Sequence, residues 1–182
     1  FPLLSDDIYR FWWDGYFNLQ GFNPFQYKPN ELIALHPEYL QDASIKSIYS
    51  HLNSPEYYSV YPAICQFLFL IAAKISSTNL SLFAIVLKVI FIAIDFIIVI
   101  YLKKLLETFN KSNHSSLLYI LNPLILIEIH GNLHFEILIL LGLCLSLYYL
   151  FQNSFFKSGI WFGVSIIGKL TSGIFAPLIL LY

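Results

Sequence analysis

Two acidic side chains stand next to each other near the start of the chain, in Ser5-Asp6-Asp7-Ile8-Tyr9-Arg10-Phe11-Trp12-Trp13-Asp14-Gly15. An ionised carboxylate can take a proton from a hydroxyl nucleophile or hold a divalent cation. Ser5 is a helix N-cap by type, and that cap would put both Asp6 and Asp7 in a first helical turn, where the macrodipole favours negative charge. The same residues also fit a capped amphipathic helix with a solvated acidic start.

A second polar group lies between apolar runs, in His130-Gly131-Asn132-Leu133-His134-Phe135-Glu136, with Glu128 just before it. Ionisable residues at or near membrane depth are candidates for function. His134 and Glu136 are two apart and share no helix face, and a zinc site lacks a third ligand at suitable spacing. No metal ligand set is read from the sequence, although a divalent cation such as Mg or Mn is compatible with the acidic pair. Asp95 and Lys169 lie inside apolar runs. For Asp95 the spacing suggests a buried pairing with another helix. Lys169 suits either snorkelling or a contact with a lipid phosphate. Cys65 and Cys144 read as small buried hydrophobes.

The elements that must carry these groups follow from composition. Of 182 residues, 58% are hydrophobic and only 12% charged, and the net charge is −1. Soluble domains hold roughly 25% charged residues, so this chain cannot cover a globular surface with charge. Nor does it offer a basic face for nucleic acid. It reads as an all-α integral membrane protein. Residues 1–58 hold seven acids and three bases, whereas residues 59–182 hold four acids and seven lysines. A polar, aromatic loop of 1–58 therefore precedes an interfacial or re-entrant helix at 59–76 and a membrane region at 77–182. A span needs about 20 apolar residues. The runs 80–102, 116–129, 133–151 and 159–182 are taken as four spans of a multi-spanning bundle. Lys103, Lys104, Lys111 and Lys157 place the loops 103–115 and 152–158 in the cytoplasm. That orientation puts the His130–Glu136 turn outside. Residues 1–58 join it there if 60–75 lies in the interface. The chain has no Met, begins with Phe and ends at Tyr182 within an apolar run. It reads as a fragment lacking a first span and a C-terminal part, inactive by itself.

The acidic segment, followed by Gly21-Phe22-Asn23-Pro24-Phe25-x-Tyr27-x-Pro29, resembles the first extracytoplasmic loop of polyprenol-phosphate-sugar-dependent GT-C glycosyltransferases. It is most similar to the bacterial α-mannosyltransferase-like branch. Tyr58-Ser59-Val60-Tyr61-Pro62-Ala63-x-x-Gln66 resembles that branch's Y-P-P-x-x-Q, with Ala63 in place of the second proline. Leu121-Asn122-Pro123-Leu124-x-x-Ile127-Glu128 and Gly131-Asn132-x-His134-x-Glu136 resemble its N-P-L-x-x-x-E and G-x-x-H-N-D, with Phe135-Glu136 in place of Asn-Asp. Lys169 with Pro177 resembles its K-x-x-x-x-x-x-x-P helix.

The resemblance implies a GT-C-like bundle with a long extracytoplasmic first loop containing interfacial helices, in a bacterial inner membrane. It implies an inverting transferase that moves a hexose, mannose by likeness, from a polyprenyl-phosphate carrier to a hydroxyl of a glycan or glycolipid acceptor on the outer face. By position, Asp6 or Asp7 is the general base and Glu136 a second acid. Arg10 and Lys169 would meet the phosphate, and Trp13, Asp14, Tyr61 and His134 the substrates. Trp12, Trp13 and Tyr27 would pack on the membrane interface or on sugar faces. Two other classes compete. A secondary transporter would use Asp95, Glu128 and Lys169 as a charge path, and a non-catalytic polysaccharide- or lipid-assembly protein would keep only the scaffold.

Overall fold

The structure, a computed structural model, describes residue 2 and residues 4–181. Helix makes up 75% of the chain, and no strand occurs among the described residues. Two compact units divide within one long helix, at Val89 and Ile90.

The first unit begins with α1 (Asp7–Leu19), then α2 (Pro29–Leu35), a 3-10 segment (Pro37–Gln41), α3 (Ala43–Ser50) and α4 (Ala63–Ser76), and ends in the start of α5 (Leu80–Thr108). Helix α1 is apolar around most of its circumference, so it must be enclosed. Ile8, Phe11, Trp12, Trp13 and Phe17 are all at most 2% exposed. Its partner is α4. Phe11 stacks on Phe69 with ring centroids 4.8 Å apart, and Trp12 Nε1 donates to the Ser77 carbonyl at 3.0 Å, just past the end of α4. Burial of each such ring is worth about 1.5–3 kcal/mol. Gly15 permits the close approach, because a Cβ there would run into the Phe69 carbonyl. The far end of α1 closes as a Schellman turn. Gly21 takes φ 90°, and the Phe22 N–H donates to the Phe17 carbonyl at 3.0 Å. Pro29 opens α2, and the Asp42 side chain caps α3 by accepting from Ser44 and Ile45 N–H groups.

Sequence and structure part at the start of α1. Asp6, not Ser5, occupies the N-cap, and its side chain makes no capping bond. The Ser5 hydroxyl accepts from the Asp7 N–H at 3.3 Å. Only Asp7 lies in the first turn, so the two carboxylates have different local frames.

The second unit contains the rest of α5, a 3-10 segment (Asn113–Ser116), α6 (Leu117–Ile120), a π-helical segment (Ile125–Gly131), α7 (Glu136–Phe151), α8 (Phe155–Gly168), a second 3-10 segment (Leu170–Phe175) and α9 (Ala176–Leu180). Helix α5 has 29 residues and is long and apolar enough to cross a membrane. At 1.5 Å per residue it is about 43 Å long, against a hydrocarbon core of about 30 Å. Helix α4, with 14 residues, is too short to cross alone.

The expected spans 116–129 and 133–151 are not two continuous helices. Pro123 lacks an N–H and disfavours helix at Asn122, so α6 stops after four residues. The π-helical segment then meets α7 at a bend of 119°, and the two pass as one span only when taken together. The run 159–182 is interrupted as well. Helix α8 ends at Gly168, and Lys169 is extended at φ −165° and ψ 128°. Thr171, Ser172 and Gly173 are weak helix formers, and a 3-10 segment takes over there. Tyr182 lies outside the described residues. Helices α7 and α8 pack closely because Gly142 faces the Ser165 backbone, where a Cβ would come within 2.6 Å of the Ser165 nitrogen.

Candidate active site

In the first unit the acidic pair stands at the N-terminal end of α1. Asp6 is exposed and Asp7 half-buried. Asn53 Nδ2 donates to Asp6 Oδ1 at 2.9 Å and reaches Asp7 Oδ1 at 3.5 Å. The Tyr61 hydroxyl donates to Asp7, and burial, followed by the Asp7 and Asp14 carboxylates, pushes its phenol well above the ordinary tyrosine value. Tyr61 thus stays a hydrogen-bond donor at any working pH.

Beneath the pair lies a buried polar hub. Arg10 and Asp14 are four apart on α1 and 3% and 1% exposed. Arg10 Nε donates to Asp14 Oδ1 at 2.8 Å. Ser59 Oγ donates to Asp14 Oδ2 at 2.5 Å, and Gln66 Nε2 donates to the same oxygen at 2.9 Å. Arg10 Nη1 spans to the carbonyls of Ser54 and Tyr57, both at 3.0 Å. One carboxylate therefore ties α1 to α4 and, through Arg10, to the 54–59 loop. Arg10 and Asp14, expected at the phosphate and the substrate, are both buried in this network, and Arg10 Nη2 is left buried without a hydrogen-bond partner among the described residues. Trp13 also lies in the core, packed on Phe17 and Tyr49. The cavity beside it, lined by Trp13, Asp14, Phe22, Asn23 and Tyr27, is about 10 Å³, room for one water and not for a hexose. Exposed aromatic rings between α1 and α4 include Phe25, Tyr27, Tyr57 and Tyr58.

The second unit has polar groups of its own. Asp95, midway along α5, receives the Tyr119 hydroxyl at 2.6 Å and His130 Nε2 at 2.5 Å. Since a carboxylate accepts, both partners donate. This is the interhelical pairing expected of a charge within an apolar span, and it fastens the π-helical segment to α5. His134 Nδ1 pairs with Glu128 at 3.1 Å, and Asn132 Nδ2 donates to the same carboxylate oxygen at 3.2 Å. Lys169, in the break after α8, pairs with Glu136 at 2.5 Å across two half-exposed side chains. Leu133, between His130 and Glu136, is fully buried and takes φ 62°. A bulky residue held there stores about 1–3 kcal/mol of strain. Among the described residues no three His, Cys, Asp or Glu side chains are grouped to hold a metal ion.

Several of these residues escape a sequence reading. Asn53 and Tyr119 meet their carboxylates 47 and 24 positions away, and Ser59 and Gln66 meet Asp14 45 and 52 positions away. For Ser59 and Gln66 the signal was their place in the Tyr58–Gln66 motif, and for Gln66 also its place inside an apolar run.

Among the described residues, the structure is that of an all-helical protein with one helix long and apolar enough to cross a membrane and several carboxylate-centred polar networks. Residues 1–182 match the family model described as Alpha-(1->6)-mannopyranosyltransferase, N-terminal domain, and the chain belongs to that family. Its function is therefore that of an α-mannosyltransferase domain, with a sugar donor and a glycan acceptor as substrates. No curated protein and no solved structure matches it.

Proposed function

We propose that this domain belongs to a GT-C transferase that moves mannose, with inversion, from a polyprenyl-phosphate carrier to an acceptor hydroxyl on the outer face of a bacterial inner membrane. The acidic pair at the start of α1, with one exposed carboxylate and one half-buried, carries this reading. The exposed one, Asp6, is the general base. It takes the proton as the acceptor oxygen attacks the anomeric carbon, the bond from that carbon to the phosphate oxygen breaks, and polyprenyl phosphate leaves. Asp7, held by Tyr61, adds negative charge behind it. By the family resemblance, Glu136 and His134 of the second unit are taken as further substrate-binding groups. Lys169, exposed in a helix break, remains the candidate for the phosphate, and Glu136 holds its ammonium meanwhile. Arg10 and Asp14 support the base rather than touch substrate. Phe25, Tyr27, Tyr57 and Tyr58 suit the membrane interface or a sugar face better than the buried Trp12 and Trp13.

An α product formed by a single inverting displacement requires a β-linked donor. The full-length protein in vesicles, given labelled β-linked polyprenyl-phosphate mannose and a short α-(1→6)-linked mannose oligomer, is expected to extend the oligomer by α-linked mannose. Transfer from nucleotide-linked mannose with none from the lipid carrier would overturn the donor assignment. Sidedness has a separate test. Ser47 and Ser112 are both exposed. Single cysteines at these positions, probed with a membrane-impermeant reagent on intact cells, should label at 47 and not at 112. The reverse pattern would invert the topology.

A further inference from the structure

We infer that Asn53 is a positioning residue for transfer, holding the Asp6 carboxylate in place at the mouth of the site; this rests on the reading of Asp6 as the base. The argument begins with chemistry. Asn53 faces two carboxylates, Asp6 at 2.9 Å and Asp7 at 3.5 Å. Carboxylates only accept, so the amide must present its NH2 to them, and its orientation is fixed. Asp6 needs such a partner. It is exposed, it sits at an N-cap, and it makes no capping bond to the helix that would fix its side chain. A base free to rotate spends much of its time away from the proton it must take, and small misplacements cost rate.

Asn53 is itself held from both sides. Leu52 before it is buried. After it, the Ser54 carbonyl accepts from Arg10 Nη1 at 3.0 Å. Arg10 stands one helical turn beyond Asp6, so the element that carries the base also anchors the backbone that orients it. That anchor depends in turn on Asp14, which fixes the Arg10 guanidinium at 2.8 Å. A chain of contacts thus runs from the buried hub through Arg10, Ser54 and Asn53 to Asp6. The other charged or titratable groups nearby are Asp7 on α1, Tyr61 ahead of α4 and His51, whose ring stacks on Tyr9 at 4.9 Å.

The test uses the full-length protein in membranes and the lipid-linked mannose donor. Asn53→Ala should lower kcat about tenfold, the scale of one hydrogen bond to a charged group, and shift KM for the donor by less than about twofold. Asn53→Gln, which keeps the amide donor, should recover part of that loss. Asn53→Asp should fall below Asn53→Ala, because a third carboxylate repels the other two. Protein level and thermal midpoint are followed throughout. Wild-type kcat in Asn53→Ala overturns the inference. So does a loss that tracks a falling thermal midpoint and is no smaller in Asn53→Gln. Asp6→Asn run alongside separates the two readings. If Asp6→Asn is inactive while Asn53→Ala is fully active, only the role of Asn53 fails; if Asp6→Asn turns over like wild type, the base assignment fails and takes this inference with it.

Discussion

Asp6→Asn is expected to lower mannosyl transfer by the full-length protein about 10²–10⁴-fold, the usual contribution of a positioned base, while the protein still folds and inserts. The substitution suits the question because the fold has little stake in the charge at this position. Asp6 is exposed and caps α1 without a side-chain bond, and Asn and Asp are about equally good N-caps. The new amide can turn its carbonyl toward Asn53 Nδ2 and keep that contact, now 2.9 Å. What disappears is the lone pair that receives a proton. Asp7→Asn should cost less. Asp7 is half-buried and already bonded by Tyr61, so on the proposed reading it supports the base rather than acts as the base. Transfer rates at matched membrane levels decide the matter. Equal losses in both variants would mean that the pair acts as a unit, and wild-type turnover in both would remove the carboxylates from the mechanism.

Whether a feature could be read from the sequence depended on how far its cause lies along the chain. Helix content, the span-length α5 and the brevity of α4 are local, and composition and run length show them. The Arg10–Asp14 spacing is local too, and it does place both on one helix face. What the spacing could not show is that this face turns inward. The same pair can meet a lipid phosphate if exposed or weld a loop if buried, and burial is decided by α4, some fifty residues on. The two breaks were hidden for a different reason. The runs 116–129 and 159–182 are apolar on average, so run composition alone does not mark where a helix stops, while Pro123 and the Gly168–Gly173 stretch interrupt the backbone. Those breaks matter because they hold the polar groups of the second unit. Lys169 meets Glu136 from an extended residue, and His130 meets Asp95 from a π-helical turn.

The strongest effect on stability is expected at Asp14. Asp14→Leu removes the acceptor of three donors at once: Arg10 Nε, Ser59 Oγ and Gln66 Nε2. It leaves the Arg10 guanidinium 3% exposed with no counter-charge. Removing one member of a buried ion pair costs about 3–5 kcal/mol, because the survivor keeps its desolvation penalty without its partner. Asp14→Asn should cost less, about 1–3 kcal/mol. Its amide offers one oxygen to a hub that needs two, and its NH2 must face a donor. Arg10→Met combined with Asp14→Leu should be more stable than Asp14→Leu alone, since the uncompensated charge is gone. That double variant also cuts the link from Arg10 to the Ser54 carbonyl. It should therefore regain folding without regaining full activity, because the segment that aims Asn53 at Asp6 is no longer anchored. Thermal unfolding in detergent measures the first effect and transfer rate the second. An Asp14→Leu protein that melts like wild type would show that the hub does not hold α1, α4 and the 54–59 loop together. A double variant as active as wild type would show that the base is aimed without it.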